Sequence, residues 1–505
     1  MPAKILLLIL DGWGLSSAYR HNAIAAARPP FWQSLVERYP PAVLAAKEDA
    51  VGLPPGCLSG SEVGHMTIGA GRVVWHSVAA IDRAIASGEF YQKEELREVG
   101  TYLRASGGKL HLMGLLSTGG IHAHVNHLKA LIEWANRGEI GAVALHLFLD
   151  GRDMPPASAA ELLEAEITPE LSDRVRIATL SGRSIAMDRT ERWERTLLTW
   201  QTLTSQSGIS AKRPADHLRA QYREGITDEF VQPIRFDSAA VRDNDAIVCF
   251  NFRADRMRQL VRLATGRAPR AVQAHAWLPA SLRLWSLTEY DDEYADVLVL
   301  FSPERPVNTV GEWIAKQGMA QFRCAETEKY AHITYFLNGG REDSFAREER
   351  LLVPSIGLSN YASQPEMSLW EVTAMVERVL AAGRHEFVVA NLANADMVGH
   401  SGDWTAAIKA VRAVDAALSR LVPAAQANGY TAAITSDHGN IECMANNGEP
   451  HTAHTYNDVP FIVANPNIRL EPRGALYQVA PTILRLMRLT PPEEMTRRTL
   501  LTGPA

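Results

Sequence analysis

The chain has 505 residues, which is enough for about two to four domains at roughly 150 residues each. Hydrophobic residues make up 46% and charged residues 21%, so wholesale disorder, collagen and coiled coil are excluded. The 51 Lys and Arg against 57 Asp and Glu leave a formal charge of −6, which gives no overall attraction for nucleic acid or an anionic membrane. Any site for an anion must therefore be local.

The cellular compartment is indicated by the cysteines and by the length of the apolar segments. The four cysteines are widely scattered, which argues against a disulfide framework and favours a reducing compartment. The apolar run at 5–10 is shorter than the h-region of a secretion signal, about 7–15 residues. No segment approaches the roughly 18 consecutive apolar residues of a membrane helix. We expect a soluble cytoplasmic protein that acts on a small molecule, without nucleic-acid or membrane partners.

Seven short apolar runs each end abruptly in glycine, charged or hydroxyl residues. They lie at 5–10, 110–116, 144–149, 175–180, 246–250, 387–392 and 431–435. Such runs are typical of strands buried on both faces, and the amphipathic stretches at 128–135, 158–166 and 404–421 predict crossover helices. The predicted fold class is α/β. Ligands of such sheets bind beyond the carboxyl ends of the strands, where these polar clusters fall. A single cluster would be read as a turn, but seven indicate a site.

The polar clusters differ in chemistry between the ends and the middle of the chain. The end segments carry Asp and His, namely Asp11, Asp396, His400, Asp437, His438, His451 and His454. The middle carries Arg and His, namely His122, Arg152, Arg183, Arg189, Arg253 and Arg256. This division predicts a discontinuous α/β domain, 1–75 with 304–505, into which a second α/β domain, 78–298, is inserted.

The acidic and histidine residues of the end segments suit a divalent metal. Asp396 and His400 are four residues apart, so one helical turn brings both to the same face. Carboxylate with imidazole suits Mn²⁺, Zn²⁺ or Fe²⁺, and the set is too large for one tetrahedral ion. Two ions fit better, as in enzymes of phosphoryl transfer. Taken alone, the Asp396 and His400 pair favours a helix start with a surface histidine over a metal site.

Ser61 is the candidate nucleophile, because it lies in a glycine-rich turn before a predicted helix, where free N–H groups favour a phosphate. The alternative is a helix cap without chemistry. The middle arginines form a candidate anion clamp, since guanidinium groups bind carboxylate or phosphate in bidentate fashion. Arg189, Arg253 and Arg256 are also compatible with solvated helix faces.

Most of the residues named above belong to motifs that occur nearly end to end along the chain, in the order LLLILDGWG, SEVGH, STGGIHAH, FLDGRD, FNFRADR, EKYAH, NADMVGH, SDHGN and HTAHT. With these motifs, the chain resembles the cofactor-independent phosphoglycerate mutases of the alkaline phosphatase superfamily. The resemblance implies interconversion of 3-phosphoglycerate and 2-phosphoglycerate through a phosphoserine, without 2,3-bisphosphoglycerate, by a protein expected to be a monomer.

The resemblance also implies residue roles. One Mn²⁺ is expected on Asp396, His400 and His454, and the other on Asp11, Ser61, Asp437 and His438. Ser61 is the expected phosphorylated residue, with Lys329 beside the transferring group and His451 behind the ligands. The expected substrate contacts are His122, Arg152, Asp153, Arg183, Arg189, Arg253 and Arg256. Asp153 is the candidate proton shuttle, and domain closure is expected to exclude water.

Two departures from the family pattern and two rival functions bear on these expectations. Ser59 and Gly60 stand where the family usually has Gly and Asn, so an Asn side chain is missing and a second serine lies near the nucleophile. Asp82 and Thr190 also depart from common family residues. The rivals are a metal-dependent phosphomonoesterase or phosphopentomutase, which would not need the full arginine set, and a binding protein without turnover.

Overall fold

The computed structural model describes residues 3–205, 207–358, 360–446 and 448–503. The chain divides into two compact units, residues 1–76 with 304–505 and residues 77–303. Whether these units are the metal-binding and substrate-binding domains stays a prediction. Among the described residues, no helix combines the length and the apolar character needed to cross a membrane.

The strands and helices alternate along most of the chain. The strands are β1 (Lys4–Leu10), β2 (Ala42–Ala45), β3 (Leu110–Leu116), β4 (Val143–Leu149), β5 (Val175–Gly182), β6 (Ile234–Arg235), β7 (Ala246–Cys249), β8 (Arg283–Thr288), β9 (Val297–Phe301), β10 (Gln321–Glu326), β11 (Glu348–Val353), β12 (Phe387–Leu392), β13 (Tyr430–Thr435), β14 (Ala445–Asn446), β15 (Glu449–Pro450), β16 (Val459–Val463) and β17 (Arg473–Ala475). The α-helices are α1 (Ala23–Ala27), α2 (Pro30–Arg38), α3 (Ser61–Ala70), α4 (Ser77–Ser87), α5 (Glu94–Ser106), α6 (Val125–Arg137), α7 (Ala159–Leu162), α8 (Arg183–Ala186), α9 (Trp193–Thr204), α10 (Pro214–Arg223), α11 (Arg258–Ala264), α12 (Arg270–Gln273), α13 (Val310–Lys316), α14 (Thr327–Ala331), α15 (Leu369–Ala382), α16 (Asn394–Gly399), α17 (Trp404–Ala427) and α18 (Val479–Leu486). The predicted α/β class is confirmed.

The first unit is built on an eight-stranded sheet with the order β11-β10-β12-β1-β13-β16-β2-β17. β1 is parallel to both β12 and β13, and β10 is parallel to β12, so the carboxyl ends of these four strands lie at one edge. β1 is covered on both faces, because Leu6 and Leu8 join one apolar core while Ile5 and Leu7 join the other. This double burial explains its uninterrupted apolar sequence.

The second unit is built on a seven-stranded sheet with the order β6-β5-β4-β3-β7-β8-β9. Every neighbouring pair is parallel except β5 with β6. The predicted helix at 128–135 lies within α6, and the one at 158–166 is α7 continued by a wider turn over Leu163–Ile167. The loops after β3, β4, β5 and β7 therefore leave the sheet at the same edge.

Candidate active site

Ser61 is the first residue of α3, and its hydroxyl lies among charged groups. The helix cap is Gly60, in extended conformation and without a side-chain bond, so the alternative of Ser61 as a cap is wrong. Ser61 Oγ donates to Asp11 Oδ1 at 3.0 Å and lies 2.9 Å from His438 Nε2. It also accepts a bond from Lys329 Nζ at 2.7 Å. The side chain is thus held by the loops after β1, β10 and β13.

Lys329, on α14, is buried and uses all three of its N–H groups. Besides Ser61 they reach Asp11 Oδ1 at 2.7 Å and Asp396 Oδ2 at 2.6 Å. Burial acts to lower the pKa of Lys329, but the carboxylates of Asp11 and Asp396 raise it above its ordinary value. Lys329 is therefore a cation at neutral pH that faces the candidate nucleophile.

His400 and His454 direct their Nε2 atoms at each other and at Asp396. The two Nε2 atoms are 3.1 Å apart, and they lie 3.1 Å and 3.3 Å from Asp396 Oδ1. The Nδ1 atoms face the carbonyl oxygens of Thr452 at 2.6 Å and Ser59 at 2.7 Å, so each neutral ring carries its proton on Nδ1. Two nitrogen lone pairs and a carboxylate oxygen then converge, an arrangement that a bound cation would satisfy.

The second group of candidate ligands is Asp11, Asp437 and His438, all buried. Asp437 Oδ1 accepts backbone N–H groups from Gly12 at 3.2 Å and His438 at 3.1 Å, while the buried Oδ2 lies 3.1 Å from His65 Nδ1. His438 Nδ1 lies 3.2 Å from the Gly439 carbonyl, which leaves Nε2 free to accept. Asp11, Asp437 and His438 offer ligand atoms within 4.8 Å of one another, as do Asp396, His438 and His454.

A divalent cation fits this donor set. Three buried carboxylates, those of Asp11, Asp396 and Asp437, face a single ammonium group, that of Lys329. Burial and the charge of Asp437 raise the pKa of Asp11. A bound divalent cation would neutralise that excess of negative charge and would accept the converging histidine lone pairs.

Two glycines allow the loops of this site to approach one another. Gly12 has φ +75°, and a Cβ there would lie 2.8 Å from Asp396 Cα. A Cβ at Gly64 would lie 2.6 Å from the Asp437 carbonyl oxygen. Both distances are far below van der Waals contact, so a side chain at either position would push a candidate ligand out of place.

The predicted anion-binding residues lie together in the second unit. His122, Arg152, Asp153, Arg183, Arg189, Arg253 and Arg256 occupy the loops and short helices that follow β3, β4, β5 and β7. Arg183 donates to Asp153 Oδ2 at 2.6 Å and is almost fully buried. Burial, with Arg183 and Arg189 nearby, lowers the pKa of Arg256, whose Nε has no hydrogen-bond partner. Converging guanidinium groups with an unused donor suit a small multiply charged anion.

Two acids of this cluster were missed by the sequence analysis. Asp255 accepts from Arg189 at 2.9 Å and lies 3.3 Å from Arg253 Nε and 3.4 Å from His122 Nδ1. Asp150 accepts from Arg183. Burial and Arg183 lower the pKa of His122 to about 4, so this ring is neutral at pH 7. The position of Asp255 between Arg253 and Arg256 in the FNFRADR motif is the sequence signal that could have identified it as part of the cluster.

Three polar residues around the metal-ligand candidates were also missed. His65 contacts Ser61 and Asp437, Asn391 contacts Asp11, and Asn440 donates to Asp396 Oδ1 at 2.9 Å. His65 was visible only as the end of the SEVGH motif. His451 Nδ1 is buried without a hydrogen-bond partner among the described residues, so its expected place behind the ligands stays a prediction.

Comparison with known proteins gives matches over nearly the whole chain. A family model described as the Metalloenzyme superfamily matches residues 3–491. The 2,3-bisphosphoglycerate-independent phosphoglycerate mutase of Moorella thermoacetica is 44% identical, covering 98% of this chain and 98% of that protein. The mutase of the same name from Myxococcus xanthus is 43% identical over 99% of each chain. A crystal structure of Leishmania mexicana phosphoglycerate mutase at low cobalt concentration matches with a TM-score of 0.59 and 28% identity, over 99% of this chain and 98% of that one.

Proposed function

The chain belongs to the 2,3-bisphosphoglycerate-independent phosphoglycerate mutases of the Metalloenzyme superfamily, and from that premise we propose that it interconverts 3-phosphoglycerate and 2-phosphoglycerate through a phosphoserine at Ser61. The choice of Ser61 rests on the position of its hydroxyl, because Oγ lies within 3.0 Å of Asp11, His438 and Lys329. A hydroxyl that has both a proton acceptor and a neighbouring cation is equipped to attack phosphorus.

In the first transfer, Ser61 Oγ forms a bond to phosphorus while the bond from phosphorus to the substrate oxygen breaks. The Ser61 proton passes to Asp11, the acceptor at 3.0 Å. The leaving glycerate oxygen takes up a proton, for which Asp153 is the candidate donor. Lys329 offsets the negative charge that develops on the transferring group.

The residues that would hold two divalent cations are Asp396, His400 and His454 for one and Asp11, Ser61, Asp437 and His438 for the other. Bound there, such cations supply charge stabilisation of the phosphoryl oxygens and a lowered pKa for the serine hydroxyl. Asp396 is shared between His400, His454 and Lys329, so its carboxylate links the ligands to the ammonium group.

The arginine cluster is proposed to bind the glycerate carboxylate and hydroxyls between the two transfers. In the second transfer, the other glycerate hydroxyl attacks the phosphoserine, Asp153 takes its proton, the bond from Ser61 Oγ to phosphorus breaks, and Ser61 Oγ regains its proton from Asp11. Asp153 suits both steps because Arg183 bonds one of its carboxylate oxygens at 2.6 Å, and the other oxygen can exchange a proton with the substrate. Retention of glycerate distinguishes a mutase from a phosphatase.

The direct test is a coupled assay with enolase on 3-phosphoglycerate, without 2,3-bisphosphoglycerate. We expect turnover that requires an added divalent cation and is abolished by a chelator. Release of inorganic phosphate without 2-phosphoglycerate would instead indicate a phosphomonoesterase. Binding of phosphoglycerate without any turnover would indicate a binding protein.

The identity of the ion, the oligomeric state and the location of the protein are further proposals. We propose Mn²⁺ as the ion, because carboxylate with imidazole is a donor set that Mn²⁺ accepts. A monomer in the cytoplasm is proposed from the family resemblance and the reduced cysteines; the four are free in the structure. Metal analysis of purified protein and light scattering test the first two.

A further inference from the structure

His65 and Asn391 form a hydrogen-bonded pair behind one group of candidate metal ligands. His65 lies on α3, one helical turn after Ser61, and Asn391 lies near the end of β12. His65 Nε2 is 3.0 Å from Asn391 Nδ2, and both side chains are buried, His65 completely. Nothing in the proposed chemistry uses either residue.

The outer contacts of the pair all go to residues of the same candidate ion. His65 Nδ1 is 2.8 Å from the Ser61 carbonyl oxygen and 3.1 Å from Asp437 Oδ2. Asn391 Nδ2 donates to Asp11 Oδ2 at 2.7 Å. In the described part of the chain, no hydrogen bond or ion pair joins either side chain to Asp396, His400 or His454. The pair thus contacts Asp11, Ser61 and Asp437, which are three of the four residues proposed to bind one ion. It contacts none of the residues proposed to bind the other ion.

One arrangement of protons satisfies these contacts. Asn391 Nδ2 has two N–H groups, of which one points to the Asp11 carboxylate and the other to His65 Nε2. His65 Nε2 must then accept, so the ring proton is on Nδ1, where the Ser61 carbonyl and Asp437 lie. Rotation of the Asn391 amide would set its oxygen against the Asp11 carboxylate, which disfavours that alternative.

We propose that His65 and Asn391 are positioning residues, which fix the separation of Asp11, Ser61 and Asp437 and so set the affinity of the divalent cation bound by that group. This inference rests on the two-ion site proposed above. The His332 ring packs against His65 at an interplanar angle of 55°, with ring centroids 5.4 Å apart, and restrains the His65 ring. Residues behind metal ligands of this kind typically change metal affinity about tenfold to a hundredfold when removed.

The test measures Mn²⁺ binding to the full-length protein, one ion at a time. His400→Ala removes the ion proposed to bind Asp396, His400 and His454, so that titration measures only the site that contains Asp11. Asp437→Asn removes the ion of the Asp11 site, so that titration measures the other site. In the His400→Ala background, adding His65→Ala or Asn391→Ala should weaken Mn²⁺ binding about tenfold to a hundredfold. In the Asp437→Asn background, His65→Ala should leave the affinity unchanged within twofold.

Two further variants separate positioning from a general loss of structure. His65→Asn keeps an N–H near the position of Nδ1 and should restore most of the affinity that His65→Ala loses. Asn440→Ala is the matched control, because Asn440 bonds Asp396 Oδ1 at 2.9 Å and should weaken the other ion instead. An unchanged affinity in the first background, or equal losses at both ions in folded His65→Ala, would overturn the inference. Wild-type protein that binds fewer than two ions would overturn the two-ion proposal itself.

Discussion

Lys329 carries the positive charge shared by the buried carboxylates around Ser61. Its ammonium group bonds Asp11, Asp396 and the Ser61 hydroxyl, all within 2.7 Å. A residue in this position has two separable effects, because it repels a bound cation while it attracts the transferring phosphoryl group. Those effects can be measured independently.

Replacing Lys329 with Met removes the charge and keeps most of the side-chain volume. We expect kcat to fall about a hundredfold to a thousandfold, the usual loss when one stabilising donor is removed from a transition state. Mn²⁺ affinity should not weaken, since three buried carboxylates remain without their ammonium partner. Parallel loss of metal and activity in Lys329→Met would instead show that Lys329 holds the site together.

The two serines of the loop before α3 should differ sharply in their contribution. Ser61→Ala should abolish the mutase reaction, because it removes the hydroxyl that we propose attacks phosphorus. Ser59→Ala should retain substantial activity, because the Ser59 hydroxyl is buried without a hydrogen-bond partner and the contact to His454 uses its carbonyl. Thermal unfolding of both variants checks the fold, since even a cap serine contributes only about 1 kcal/mol. Turnover in folded Ser61→Ala would contradict this assignment.

At the scale of elements, a buried histidine network links three strands of the second unit and the residue that precedes a fourth. His111 on β3 lies 2.8 Å from His146 on β4 and 3.0 Å from Asp245, which precedes β7, and His146 lies 2.9 Å from Thr179 on β5. Burial lowers the pKa of both rings below their ordinary value, with Asp245 opposing the shift at His111. Both histidines are therefore neutral in the folded unit.

This network makes the stability of the second unit depend on pH. The unfolded histidines bind protons below pH about 6.5, whereas the folded ones bind them only at a lower pH, so their contribution is complete above about pH 6.5 and is lost as the pH falls below it. The loss has an upper limit of about 1.4 kcal/mol per histidine for each pH unit. Hydrogen exchange of β3, β4 and β5 amides should show it, and His146→Gln should flatten the dependence. Equal slopes in the two proteins would exclude His146 as the cause.

The seven apolar runs correspond to β1, β3, β4, β5, β7, β12 and β13, whereas other strands were missed, among them β10, which carries a buried charge. β10 contains Arg323, which is fully buried, bonds Gln321 and stacks 5.3 Å from the Phe387 ring centroid. A central strand with such a residue has no apolar run to detect. The candidate ligands were visible because Asp396 and Asp437 lie a few residues after the apolar strands β12 and β13. Asn391 lies inside such a run, so its sequence context gives no sign of a role at the site. Its role is recognised from its contacts with Asp11 and His65.

At the scale of the whole molecule, the metal-ligand candidates and the arginine cluster belong to different units. Arg256→Ala should therefore lower kcat/KM by about tenfold to more than a hundredfold, the range for losing a charged hydrogen bond, while metal binding is unchanged. Arg256→Lys should recover only part of the lost kcat/KM, because an ammonium group cannot reproduce the bidentate hydrogen bonds of the guanidinium group. The measurements are steady-state kinetics and Mn²⁺ titration of the same preparations. A fall in metal content together with activity would contradict the division of roles.

The central claim is that the phosphoryl group passes through Ser61, and rapid quenching during turnover tests it most directly. Wild-type protein is mixed with 3-phosphoglycerate and Mn²⁺, quenched in acid within the first turnovers, digested and analysed by mass spectrometry, with Ser61→Ala as the control. We predict phosphate on Ser61 that depends on substrate and metal and is absent from the control. Phosphate on Ser59, or sustained mutase turnover with no phosphorylated peptide at any time point, would contradict the account.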